Sequence, residues 1–117
     1  AHRVRTADMT LYTVRCEGIF NTHGDVFRSA LVGVGDVGRQ RPVIIVELHD
    51  KNIHGRSQDW KRIESELRNL ASNYEQTAAI TAFLLHPSLP VDIRHNSKIF
   101  REKLGPWAAG QIQRTAC

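Results

Sequence analysis

Two apolar, β-branched runs, Val26–Val34 and Pro42–Leu48, are joined only by the short glycine-rich stretch Gly35-Asp36-Val37-Gly38-Arg39-Gln40. Runs this short and this uniformly apolar read as buried strands. A glycine-bearing connection of this length makes the pair a hairpin. A buried sheet has to be covered, so the rest of the chain must supply helices that pack on it. The clearest one follows the loop from His49 to Arg56. Ser57 is an N-cap with Asp59 in the first turn, and Trp60, Ile63, Leu67, Leu70 and Tyr74 recur at spacings of three and four. Glu64, Arg68 and Asn69 take the outer face.

The remaining segments fit around that centre. His2–Thr6 and Leu11–Val14 alternate weakly around the turn-like Ala7-Asp8-Met9-Thr10, which predicts an N-terminal β-hairpin. Cys16, Ile19, Phe20 and His23 share one helical face, so residues 15–23 read as a short amphipathic helix stopped by Gly24. Thr77–Leu85 reads as a third buried strand ending at His86-Pro87, and a loop runs from Ser88 to Lys98. A short helix over Ile99–Leu104 is expected to break at Gly105-Pro106, and the last ten residues carry no firm signal. The expected fold class is α+β: an N-terminal β-hairpin followed by a small central sheet of about three strands with helices packed on it. The 117 residues make one domain, divided into a hairpin (1–14), an α/β core (15–107) and a tail (108–117).

Composition narrows the class further. With 41% hydrophobic and 24% charged residues, collagen-like, low-complexity and disordered chains are excluded. The longest apolar runs, Val43–Val46 and Ile80–Leu85, fall far short of the ~20 residues of a membrane span. Ala1-His2-Arg3-Val4-Arg5 has no signal-peptide character. A net charge of +4 favours anionic partners in general, but the basic residues form neither a stripe nor a recognisable module, so nucleic-acid binding is not expected. The two cysteines, Cys16 and the terminal Cys117, do not make a disulfide framework, and a reducing, cytoplasmic setting is the simplest expectation.

Several residue groups invite a chemical reading. Gly33-Val34-Gly35-Asp36-Val37-Gly38 satisfies G-x-G-x-x-G, yet a strand follows it instead of a helix, so no helix N-terminus is available for a pyrophosphate. A glycine hairpin is the better reading. Among the histidines only His49 and His54, with Asp50, come near a metal-ligand spacing, and they read as solvated loop residues, so no metal site is expected. Cys16 sits on the apolar face of its helix, where packing outweighs a nucleophilic role. Lys98 ends a polar, proline-punctuated loop just before a helix. It could project into a cleft as a mobile point charge for a carboxylate or phosphate, although spacing alone favours a solvated loop lysine.

Resemblance changes that balance. Leu89-Pro90-Val91-Asp92-Ile93-Arg94-His95-Asn96-Ser97-Lys98-Ile99-Phe100-Arg101-Glu102-Lys103-Leu104 is similar to the last conserved motif of the adenylate-forming enzymes: acyl-CoA synthetases, peptide-synthetase adenylation domains and luciferases. Their pattern is Pro, a short loop, Gly-Lys, then Ile-x-Arg-x-x-Leu; Lys98, Ile99, Arg101 and Leu104 match it, while Ser97 stands in place of the glycine. Val14-Arg15-Cys16-Glu17 resembles the point where the family's hairpin passes into a helix, with Arg15 and Gly24 replacing usual prolines and Met9 standing where a glycine is usual. Phrases such as Glu17-Gly18-Ile19-Phe20-Asn21-Thr22-His23 and Val26–Val34 look most like the long-chain acyl-adenylating branch of bacterial olefin biosynthesis, which closes β-hydroxy acids to β-lactones.

The resemblance implies the C-terminal lid of an AMP-forming ligase acting on a fatty acid or 3-hydroxy fatty acid, with Ala1 at the hinge to the lid's own N-terminal adenylation domain. ATP with Mg2+ would be bound mainly by that absent domain, and coenzyme A is a possible second acceptor. Lys98 would be the catalytic residue of acyl-adenylate formation. Asp8, Met9, Thr10, Asn96 and Ser97 would lie near substrate or cofactor, and Arg101 would anchor its helix. The fragment alone would be inactive. The alternatives are a β-lactone-forming synthetase and a non-catalytic interaction domain that keeps the lid fold.

Overall fold

A computed structural model describes residues 3–92, 98–99 and 101–116. Ala1, Asn96 and Ser97 lie outside the described residues. The elements run β1 (Arg3–Arg5), β2 (Thr10–Tyr12), α1 (Thr13–Phe20), β3 (Val26–Val34), β4 (Arg41–Leu48), α2 (Gln58–Ser72), β5 (Ala82–Leu85), β6 (Val91–Asp92), β7 (Lys98–Ile99) and α3 (Arg101–Ala116). The α+β architecture expected from the sequence is the one observed.

The central sheet has the order β3-β4-β5. β3 and β4 pair antiparallel from Val34↔Arg41 to Val26↔Leu48, with an irregularity between Val26 and Arg28, and β5 joins β4 in parallel from Val43↔Ala82 to Val46↔Leu85. Val43, Ile44, Ile45 and Val46 are all wholly buried because the two faces of the sheet are covered separately. Leu31, Ile44, Val46 and Phe83 pack against Cys16 and Phe20 of α1 and Trp60, Ile63 and Leu67 of α2. Ala30, Val32, Val43, Ile45 and Ala82 pack against Leu89 and against Leu104 and Ala108 of α3. Each such buried aliphatic side chain contributes about 1.5–3 kcal/mol, which is why β4 tolerates no alternation of polar residues.

Four expectations are corrected by the structure. First, α1 ends at Phe20 with Asn21 as its C-cap, so Gly24 is not its stop and His23 does not extend its apolar stripe. Thr22 ends the helix locally by donating its hydroxyl to the Ile19 carbonyl at 2.6 Å. Second, on α2 the Ser57 side chain accepts from the Trp60 amide at 3.2 Å as read, but the helix stops at Ser72. Ala71 therefore completes the buried stripe and Tyr74 is left 45% exposed. Third, the third strand is confined to Ala82–Leu85. The Thr77 hydroxyl donates to the Ala71 carbonyl at 2.7 Å and the Ile80 amide to the Thr77 carbonyl at 2.9 Å, so the start of that apolar run is spent on turns that close the end of α2.

The fourth correction is the largest. The helix expected to break at Gly105-Pro106 runs on to Ala116, with Pro106 inside it. Proline removes one intrahelical bond. Leu104 and Ala108, one turn apart on either side of it, are buried against the sheet, with Ile112 packed beside them. That packing outweighs the local cost, as tertiary burial commonly overrides propensity.

Candidate functional site

At the hairpin tip the Thr6 amide donates to the Met9 carbonyl at 2.9 Å, and the Thr6 hydroxyl accepts from the Met9 amide at 3.0 Å and the Asp8 amide at 3.2 Å. A side-chain hydroxyl thus stabilises the turn, and Met9 needs no glycine freedom. Asp8 is exposed at the tip, Met9 packs on the first core cluster, and Thr10 begins β2. On the inner face Val4 and Leu11 are buried opposite each other, which fixes the hairpin on the core. Lys98 stands in the two-residue strand β7, its backbone opposite Asp92, with Ile99 opposite Val91.

The described link between the lysine strand and the hairpin is a buried ion pair. Glu17, in the helix that continues directly from β2, is 6% exposed, and Arg101 opens α3 directly after the strand carrying Lys98. The Arg101 Nε donates to Glu17 Oε2 at 2.9 Å, and the second guanidinium nitrogen donates to Oε1. Oε2 also accepts the Leu31 amide of β3 at 2.7 Å. A forked guanidinium matches a carboxylate with two parallel bonds, so the pair fixes orientation as well as distance. Arg101 thereby holds α3 against α1 and β3, as the resemblance implied. Between the hairpin and the start of α3 lies an open groove of about 510 Å³, lined by Arg3, Arg5, Gly33, Gln40, Arg101 and Glu102 among others.

A second buried carboxylate went unread in the sequence. Glu47, at the end of β4, is 2% exposed. It accepts from Arg28 Nε at 2.8 Å, from Lys51 Nζ, and from the Leu89 amide at 2.9 Å. Lys51 also donates to the Pro87 carbonyl at 3.0 Å. Burial alone would raise this carboxyl's pKa, but the bonds from Arg28, Lys51 and Leu89 outweigh it and hold it below the usual range. The network pins residues 87–89, the segment that leads into β6 and so towards β7. The available signal was a lone acid inside an apolar run, which is stable only when paired. Nearby, burial lowers the pKa of His86, whose ring meets Trp107 edge-on at 4.7 Å.

The remaining candidates act structurally. Cys16 is buried among core residues, its thiol facing the Gln76 carbonyl at 3.6 Å, and burial pushes its pKa up, away from a nucleophilic thiolate. Gly35 and Gly38 take positive φ angles of 106° and 90° in the β3–β4 connection, so the G-x-G-x-x-G pattern is a hairpin turn. Among the described residues one group has cation-holding geometry, His23, Asp25 and Glu66. Arg62 already occupies it, donating to Glu66 at 2.9 Å and to Asp25 at 3.2 Å.

The chain is 49% identical over 110 residues to an olefin β-lactone synthetase of Xanthomonas campestris pv. campestris, a match covering 94% of this chain and 19% of that protein. It is 46% identical over 114 residues to an olefin β-lactone synthetase of Stenotrophomonas maltophilia, covering 97% and 20%. The fold is shared with an amide bond synthetase, McbA, of Marinactinospora thermotolerans (TM-score 0.67, 22% identity, 91% of this chain and 20% of that one). It is shared too with a Brucella canis acyl-CoA synthetase (TM-score 0.70, 20% identity, 95% and 19%). Over nearly its whole length the chain is similar to olefin β-lactone synthetases, and its fold is that of the C-terminal domain of adenylate-forming enzymes. No protein-family model matches the chain. The chain spans about a fifth of the length of the curated relatives it matches.

Proposed function

We propose that this domain is the mobile lid of a longer enzyme that activates a 3-hydroxy fatty acid with ATP and closes it to a β-lactone. The observation that carries this reading is the 49% identity to an olefin β-lactone synthetase over 110 residues. In the first step a carboxylate oxygen attacks the α-phosphorus of ATP, pyrophosphate leaves, and an acyl-adenylate results. In the second the 3-hydroxyl loses its proton and its oxygen attacks the acyl carbon, expelling AMP and forming the four-membered ring. ATP and magnesium belong mostly to the part of the protein outside this chain, the adenylation domain that is the lid's principal partner.

Lys98 is the proposed catalytic residue of the first step. An ammonium placed between the acid oxygen and the α-phosphate would orient both and stabilise the charge that builds on the phosphoryl oxygens. A flexible point charge also suits a group that withdraws when the lid turns. Support comes from the motif around Lys98 and from the two anchored segments that flank it, the Glu47 network before β6 and the Glu17–Arg101 pair after β7.

The test uses the full-length protein with ATP and matched panels of fatty and 3-hydroxy fatty acids, following pyrophosphate release and lactone. Lactone from the hydroxy acids alone is expected, with Lys98→Ala lowering pyrophosphate release by about two to three orders of magnitude, the size of one lost preorganised contact. Acyl-CoA in place of lactone would favour a fatty acid ligase. No acid-dependent pyrophosphate at all would favour a non-catalytic interaction domain, and wild-type release by the alanine variant would remove Lys98 from the mechanism.

A further inference from the structure

A two-stranded hairpin is marginal by itself. Here Val4 and Leu11 hold its inner face, but its outer edge needs a separate anchor. The backbone of Arg5 points out of the hairpin there, and both of its polar groups are taken by one residue. The Gln40 amide donates to the Arg5 carbonyl at 2.8 Å, and the Arg5 amide donates to Gln40 Oε1 at 3.0 Å. Gln40 therefore acts as a one-residue third strand for β1, reached across 35 residues of sequence.

The seat for that glutamine is the first glycine of the G-x-G-x-x-G pattern. A Cβ on Gly33 would fall 2.5 Å from Cδ, 2.6 Å from Nε2 and 2.8 Å from Oε1 of Gln40. No such approach is tolerated, so the carboxamide occupies the space a side chain would fill. Gly35 and Gly38, with positive φ, turn the connection back, and the Arg39 amide closes it onto the Asp36 carbonyl at 2.9 Å. All three glycines thus serve one arrangement, a latch on the hairpin edge.

We propose that Gln40, seated on Gly33, is a positioning residue that latches β1 and so holds Asp8–Thr10 at the angle the ring-closing half-reaction requires. The positioning role rests on the function proposed above, with the hairpin tip brought over the acyl-adenylate when the lid turns for the second step, as the family resemblance implies; the latch itself rests on the geometry. Arg5 and the tip are joined through Thr6, whose amide and hydroxyl build the turn, so a shift at Arg5 is carried straight into Asp8 and Met9.

The experiment compares Gln40→Ala, Gln40→Glu and Gly33→Ala in the full-length protein. Amide exchange over residues 3–12 is read by mass spectrometry, single-turnover pyrophosphate release reports the first half-reaction, and decay of preformed acyl-adenylate to lactone reports the second. Gln40→Ala and Gly33→Ala remove the side-chain bond and leave the backbone bond from residue 40 to Arg5, and are expected to speed hairpin exchange and slow lactone formation by about fivefold to tenfold, the worth of one lost hydrogen bond. Adenylate formation should stay within about twofold of wild type, since these residues do not touch that chemistry. Gln40→Glu retains an acceptor oxygen and should behave as wild type. Combining Gln40→Ala with Gly33→Ala should be no worse than either alone, because both remove the same latch. Unchanged exchange in Gln40→Ala, or a glutamate variant as impaired as alanine, overturns the latch. Faster exchange with unaltered lactone formation overturns the positioning role. A wild-type protein without acid-dependent pyrophosphate release overturns the function and the positioning role together, and the exchange measurement then decides the latch separately.

Discussion

Glu47 shows how much one side chain can decide. Its carboxylate is buried yet held below its usual pKa by the bonds from Arg28, Lys51 and the Leu89 amide. A folded-state pKa below the unfolded value means the unfolded chain binds more protons, so the pair's stability is complete above the ordinary value of 4.5 and fades as pH falls through the folded one. Glu47→Gln leaves Arg28 and Lys51 facing a neutral amide and should cost about 2–4 kcal/mol at pH 7. Urea unfolding followed by tryptophan fluorescence tests this: the gap between variant and wild type should narrow steadily below pH 4.5. A gap independent of pH would mean the loss is one of shape, not charge. None of these partners is a sequence neighbour except Lys51, which is why the strand could be read from its apolar run while the purpose of its single acid could not.

At the scale of elements, legibility followed the range of the forces involved. β3, β4 and the start of α2 are set by local pattern and a cap, and their sequence boundaries agree with the structure to within a residue or two. α3 was misread because Gly105-Pro106 is a local break signal, whereas the stripe Leu104, Ala108 and Ile112 that carries the helix past it acts only against the sheet. Two substitutions separate a packed helix from a loose tail. Ala108→Asp would bury a charge against Ile45 and Val43 and should destabilise the chain by about 3 kcal/mol or more. Gly110→Asp, on the exposed side, should change stability by less than about 0.5 kcal/mol. Thermal unfolding of both variants is the check, and equal mild effects would speak for a tail.

For the whole molecule the question is how the proposed lid would present two different parts, a lysine strand and a hairpin, with one body. The Glu17–Arg101 pair offers a physical answer, since it fastens the helix following the hairpin, strand β3 and the helix following Lys98 to one another. A resemblance of motif singled out Lys98 and Arg101 beforehand, but the bond from Arg101 to Glu17 in the helix after the hairpin joins residues far apart in the chain and needed the fold. Arg101→Lys keeps the charge and loses the fork, so the two segments would remain attached but less exactly aligned. Misplacing a catalytic group by about 1 Å can cost on the order of a hundredfold. Arg101→Lys in the full-length protein should therefore slow both adenylate formation and lactone closure, each by on the order of tenfold to a hundredfold, whereas the Gln40 latch affects closure alone. Single-turnover measurement of the two steps distinguishes these patterns. If Arg101→Lys impaired only adenylation, the pair would serve Lys98 locally and the hairpin would be aligned by Gln40, Val4 and Leu11 without it.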